Sequence, residues 1–115
     1  MKFKIIIALV NPEITDQVVD AAKEAGATGD VIIPARGSGV KETKSFFGLV
    51  IEDKTEMIMF LVEEHVVDKI LDAIKDKGEF SKPGRGIAFV MNVEQVAGIE
   101  SQIDKYKDQA RDSYL

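Results

Sequence analysis

Thr55-Glu56-Met57-Ile58-Met59-Phe60-Leu61-Val62-Glu63-Glu64-His65-Val66-Val67-Asp68 is the stretch on which the fold turns. Its first half alternates Met57, Met59 and Leu61 with Glu56, Ile58 and Phe60, the pattern of a strand buried largely on both faces. The period then changes. Val66, Val67, Ile70, Leu71 and Ile74 recur at helical spacing, with Glu63 and Glu64 at the N-terminal end, Lys75 and Lys77 at the other and Gly78 beyond, an arrangement that suits the helix dipole. Upstream the same order is found. An apolar run from Ile5 to Val10 precedes Asn11, a helix cap with Pro12 in the first turn, and then Ile14, Val18, Val19, Ala22 and Ala25 run to a stop at Gly26. The two helices share the strings Val18-Val19-Asp20 and Val66-Val67-Asp68, as two copies of one unit would. A further strand follows each helix, Val31-Ile32-Ile33 ending near Arg36, and Ile87 to Met91.

The order β-α-β-β-α-β predicts an α+β, ferredoxin-like domain, a four-stranded antiparallel sheet with both helices on one face. One domain spans residues 1–115, since about 100–150 residues is the usual size of a single unit. Ile99, Ile103, Tyr106 and Ala110 share a helical face and predict an extra C-terminal helix over about 99–115. Helices on one side leave the other side bare. Met57, Met59 and Phe60 are expected to be buried, so that side needs the C-terminal helix or another subunit, and an oligomer is favoured.

The 115 residues carry 15 Lys+Arg against 20 Asp+Glu, a net charge of −5, with 45% apolar and 30% charged residues. That is globular composition with dispersed basic residues, without the electrostatic footprint of a nucleic-acid binder. No apolar stretch is long enough to span a bilayer as a helix. The charged start and short apolar run at Met1 to Val10 lead at once into Asn11-Pro12-Glu13 with no small-residue cleavage site, which reads as a first strand rather than a signal segment and points to the cytoplasm. The chain has no cysteine and one histidine, which removes disulfides, thiolate chemistry and multi-histidine metal cages. His65 is expected at a solvated surface and Glu63 and Glu64 as dipole partners rather than a catalytic pair.

Two loops carry the chemistry. Gly37 to Asp53 spans 17 residues where neighbouring antiparallel strands usually need about 2–5. It reads either as a hairpin tip with Phe46 or Phe47 folded on the sheet, or as a loop that answers a ligand or partner. Phe80-Ser81-Lys82-Pro83-Gly84-Arg85-Gly86 joins the second helix to the last strand. Its glycines allow consecutive N–H groups to converge on an anion, with Lys82 and Arg85 adding charge, although a Gly-x-Gly is also a common turn.

Taken in order, Gly26-Ala27-Thr28-Gly29, Arg36-Gly37-Ser38-Gly39, the long loop, Val62 to Asp68 and Lys82-Pro83-Gly84-Arg85-Gly86-Ile87-Ala88-Phe89-Val90 resemble the PII family of nitrogen-regulatory signalling proteins over about residues 2–99. The resemblance implies a homotrimer with adenine nucleotide in clefts between subunits. No cofactor is required, and AMP, ADP or ATP is the implied ligand. Residues 37–53 correspond to the family's T-loop, which docks on a target enzyme or membrane transporter, and residues 80–86 to its phosphate-holding B-loop. Arg36, Gly37, Ser38 and Gly39 would lie at the T-loop base against the nucleotide. Leu61 and Val62 would approach the adenine, and Lys82, Gly84, Arg85 and Gly86 the phosphates. Lys41, Lys44, Phe46 and Phe47 would form the partner-binding part of the loop.

The departures from the family pattern lie mostly in charge. A lysine after the second B-loop glycine is replaced by Ile87, and two arginines near the chain end by Gly98 and Glu100. Val40 and Lys41 stand where members carry the arginine and glutamine used with magnesium-ATP and 2-oxoglutarate, and Thr55, with Lys54 beside it, stands where they carry a lysine. The loop has no tyrosine for uridylylation. Fewer cations suit AMP or ADP better than ATP, with Arg85, Lys82 and Arg36 restoring part of the charge. Two other readings compete: a PII-related trimer that binds metal or serves as a structural module without nucleotide, and a small acylphosphatase-like enzyme. The latter wants an arginine after the first strand, where Val10-Asn11-Pro12-Glu13 offers none.

Overall fold

The computed structural model describes residues 2–36 and 54–99, together with the backbone of 45–46 and 49–50. Strand β1 (Phe3–Val10) leads through a 3-10 turn (Pro12–Ile14) into helix α1 (Thr15–Glu24), then β2 (Val31–Ala35). Two short strands, β3 (Ser45–Phe46) and β4 (Leu49–Val50), precede β5 (Thr55–Glu63), a second 3-10 turn (Glu64–Val66), α2 (Val67–Lys77) and β6 (Gly86–Asn92). The main sheet has the order β2-β5-β1-β6, every pair antiparallel, as the ferredoxin-like reading requires. Strands β3 and β4 pair with each other in a separate ladder, Ser45 opposite Val50 and Phe46 opposite Leu49. The sequence pattern predicts no strands there, because two-residue strands are too short for any period to register.

Asn11 performs its capping role one turn earlier than a plain helix start. Its side chain accepts the Glu13 N–H at 2.9 Å, and Pro12 opens the 3-10 turn that feeds α1. Both helices lay their apolar stripes on one face of the sheet. Ile6, Ala8 and Val10 of β1 and Ile58, Phe60 and Val62 of β5 form a single core there with Val18, Val19, Ala22, Ile70 and Ile74. Phe60, fully buried against the helices, is thus not part of the bare face on which it is expected alongside Met57 and Met59. A one-residue register difference on a strand moves a side chain to the opposite face, and an apolar run on both sides hides that parity.

The other face is built from Ile5, Ile7 and Leu9, with Met57, Met59 and Leu61 on one side and Ile87, Phe89 and Met91 on the other, and Val31 and Ile33 at the edge. All are apolar. None of the described elements packs over this face as the helices pack over the other, and exposure climbs from partial burial in the central strands to 56% at Val31 and 51% at Met91. The C-terminal helical tail expected over 99–115 lies outside the described residues beyond Ile99.

Candidate functional site

Strand register decides which of the expected site residues can meet. Ala35 faces Thr55, Val10 faces Glu56, and Val10 also faces Gly86, so Arg36, Lys54 and the turn entering β6 all lie at one end of the sheet. Along that end, β2 and β6 are the outer strands. Three inter-strand steps separate them by about 14 Å. Arg36 is exposed and lines a groove of about 430 Å³ with Lys54, Pro12 and Glu56, whose carboxylate accepts the Thr15 hydroxyl at 2.5 Å. Two cations and one engaged carboxylate leave that groove suited to an anion.

The turn at the other corner is held by its own backbone. The Asn11 N–H donates to the Arg85 carbonyl at 3.3 Å, which ties the turn to the end of β1. Gly84 has φ 79, the positive torsion that an anion nest needs. Arg85 donates through Nε to the Gly78 carbonyl at 3.1 Å, and Lys82 pairs through Nζ with Glu79 Oε2 at 2.9 Å. The Lys82 hydrogen bond first, then its charge and that of Arg85, hold the Glu79 carboxyl below the ordinary carboxylate range, against the opposing effect of desolvation.

Phe80 organises this corner, a role that its place in the sequence does not reveal. A β-carbon on Gly78 would lie 2.4 Å from the Phe80 ring and 2.9 Å from the Ile74 carbonyl. One on Gly86 would lie 2.8 Å from the Leu9 carbonyl and 3.1 Å from the same ring. Both glycines exist for close packing. Gly86 therefore has a structural reason to be glycine whether or not its N–H faces a phosphate.

Leu61 and Val62 lie some six residues along β5 from Thr55, about 20 Å from the Arg36 corner. The Val62 side chain is 2% exposed, inside the core, so only its main chain could meet a ligand. Strand β2 pairs with β5 no further than Met59, which leaves the backbone edge from Phe60 onward without a neighbouring strand on that side among the described residues. Gly37, Ser38, Gly39, Lys41, Lys44 and Phe47 lie outside the described residues, and of Phe46 only the backbone is described.

His65 departs from the solvated position expected of it. Its Nδ1 lies 3.1 Å from Glu63 Oε2, with the two side chains 12% and 8% exposed. A histidine two residues after a glutamate at a strand end is the available signal, but burial is a tertiary property that this local spacing does not show. A groove of about 700 Å³ beside Glu64, lined by Lys2, Lys4, Asn92 and Ile99, likewise has no local sequence signal, since it forms between the two ends of the described chain. Among the described residues, no three His, Asp or Glu side chains converge as a metal site, and no helix is long and apolar enough to cross a membrane.

Residues 3–102 match the family model described as Nitrogen regulatory protein P-II. The chain is 34% identical over 100 residues to the nitrogen fixation nifHD2 region GlnB-like protein 1 of Methanosarcina barkeri, a span covering 85% of this chain and 94% of that protein. Among solved structures it resembles a PII-like signalling protein of Thermus thermophilus, with a TM-score of 0.62, 25% identity and coverage of 81% of this chain and 87% of that one. It shares its fold with CPII of Thiomonas intermedia, a structure bound to ADP, AMP and acetate, with a TM-score of 0.65, 23% identity and coverage of 85% and 91%.

Proposed function

Because this chain belongs to the P-II family of nitrogen regulatory proteins, whose members are signalling regulators and not enzymes, we propose that it senses an adenine nucleotide between the subunits of a homotrimer. The observation that carries this reading is the separation of the candidate groups within one protomer. Arg36 with Lys54, the Gly84 to Gly86 turn, and the Leu61–Val62 edge lie at different corners of one sheet, about 14–20 Å apart. A single nucleotide reaches all three only where one copy sets a corner against the opposite edge of the next. The bare apolar face supplies the reason for copies to associate, since burying a fully exposed Val, Leu, Ile, Phe or Met contributes about 1.5–3 kcal/mol and these partly exposed side chains contribute a fraction of that each.

In this reading Gly84, Arg85 and Lys82 receive the phosphates, with Gly86 beside them. Arg36 and the glycine-bearing stretch Gly37-Ser38-Gly39 sense them from the base of the 37–53 loop, and Leu61 and Val62 offer main chain and apolar contact to the adenine. The rest of the loop, with Lys41, Lys44, Phe46 and Phe47, reports the bound state to a target enzyme or membrane transporter. The domain is one P-II unit over 1–115, with its B-loop at 80–86 and a C-terminal tail at 99–115, working in the cytoplasm. The ADP and AMP carried by the Thiomonas protein support the ligand class. With Ile87, Gly98 and Glu100 at positions where cations are usual, ATP gains little over ADP and AMP, since each absent charge-assisted contact forfeits about 1.5–3 kcal/mol.

Sedimentation equilibrium combined with calorimetric titration of AMP, ADP, ATP and cyclic AMP tests the proposal. A trimer that binds AMP and ADP with an affinity close to that for ATP is expected. A monomer at micromolar concentration, or a trimer indifferent to all four nucleotides, would overturn it.

A further inference from the structure

We infer that Glu79 is a charge filter built into the phosphate-binding turn, a resident carboxylate that competes for Lys82 and Arg85 and so sets preference among nucleotides by their charge. This rests on the reading of residues 80–86 as the phosphate site. The first observation concerns the backbone. Helix α2 closes with Glu79 N–H donating to the Asp76 carbonyl at 3.2 Å and Phe80 N–H to the Lys75 carbonyl at 3.1 Å. That pair of bonds puts Glu79 at the left-handed position, φ 53, where glycine is the usual occupant. Among the described residues Glu79 is the one non-glycine with positive φ. An unfavourable torsion kept at such a place asks for a compensating role of its side chain.

The second observation is what that side chain holds. Glu79 Oε2 lies 2.9 Å from Lys82 Nζ, and the Lys82 N–H donates to the Glu79 carbonyl at 2.9 Å, so backbone and side chain bind the same residue. Arg85 acts on the same carboxylate through its charge while its Nε is committed to the Gly78 carbonyl. Two cations and one carboxylate leave the turn a net charge of +1. A phosphate entering it must take Lys82 from Glu79 and remain near that negative charge. AMP brings about two negative charges, ADP about three and ATP about four, so the same carboxylate opposes ATP most and AMP least. Asp72, Lys75 and Asp76 line the same groove as Glu79 and Lys82 and are left untouched by the test.

Calorimetric titration of AMP, ADP and ATP into the full chain and into Glu79→Gln and Glu79→Gly, at low and at physiological salt, tests the filter. The two variants share the loss of charge but differ in the backbone, since glycine relieves the torsion and glutamine keeps it. Both are expected to tighten ATP about fivefold, ADP less and AMP about twofold or less, with the differences shrinking as salt rises. An equal change for all three nucleotides, no change, or a change in Glu79→Gly alone would overturn the filter and leave the nucleotide reading standing. Absence of nucleotide binding by the unaltered chain would overturn both.

Discussion

Helices α1 and α2 leave the covered face of the sheet through the same pair of backbone bonds, yet with different residues at the turning point. After α1, the Gly26 N–H bonds the Lys23 carbonyl at 3.1 Å and the Ala27 N–H the Ala22 carbonyl at 2.9 Å, with Gly26 at φ 126. After α2 the corresponding position is Glu79, and Gly78, the residue expected to stop the helix, sits one place earlier at φ −78. The first exit follows local backbone preference, glycine where positive φ is required. The second sets preference aside twice. Its glycine makes room for the Phe80 ring, and its strained position carries a carboxylate aimed at a lysine. An exit that only turns the chain obeys the local rule, whereas one beside a candidate binding turn departs from it.

The largest expected effect comes from filling the space that distinguishes the second exit. Gly86→Val and Gly78→Ala each force a side chain into backbone carbonyls or the Phe80 ring, and chemical denaturation is expected to show a loss of about 1–3 kcal/mol or more, valine being the worse. Unchanged stability in both would mean that the ring and strand move aside freely, and the contrast with the first exit would lose its packing half.

Exchanging the turning residues comes next. Gly26→Ala is expected to cost about 1 kcal/mol or more, because a β-carbon disfavours positive φ. Glu79→Gly is expected to stabilise the fold by up to about 1 kcal/mol, less whatever the exposed Lys82 pair contributes. Opposite signs for the two, read from denaturation midpoints, are the signature of the difference, and equal signs would erase it. Asn11→Ala, which removes the cap that starts the first helical unit, should cost about 1 kcal/mol by the same measurement, with no counterpart at the second unit, where the residue before the 3-10 turn makes no side-chain cap bond.

The smallest effect is electrostatic. Because folding depresses the Glu79 carboxyl pKa from its usual value of 4.5, the pair's contribution is present above about pH 4.5 and is lost as pH falls through the lower folded value. Lys82→Met should return the Glu79 titration, followed by carboxyl NMR, towards 4.5, and an unmoved titration would show that Lys82 is not its partner.

How far the sequence could be read follows the range of the interactions concerned. Period and capping are local, so the two helices, the four long strands, the Asn11 cap and the stop at Gly26 were legible from residue order alone. The order of those elements, with the Gly84-Arg85-Gly86 turn and the Arg36 to Gly39 string, was enough to identify the family. Side-chain parity on β5 was not legible, because apolar residues occupy both faces and only pairing with β1 shows that Phe60 meets the helices while Met57 and Met59 do not. The Glu63–His65 pair, the Phe80 ring between Gly78 and Gly86, and the left-handed Glu79 were likewise decided by tertiary structure. Each depends on groups from different elements converging, or on a turn whose torsion is imposed by the bonds around it. Composition and pattern determine which residues seek burial and where the chain can bend; which partner each one finds is fixed only when the sheet and helices close on one another.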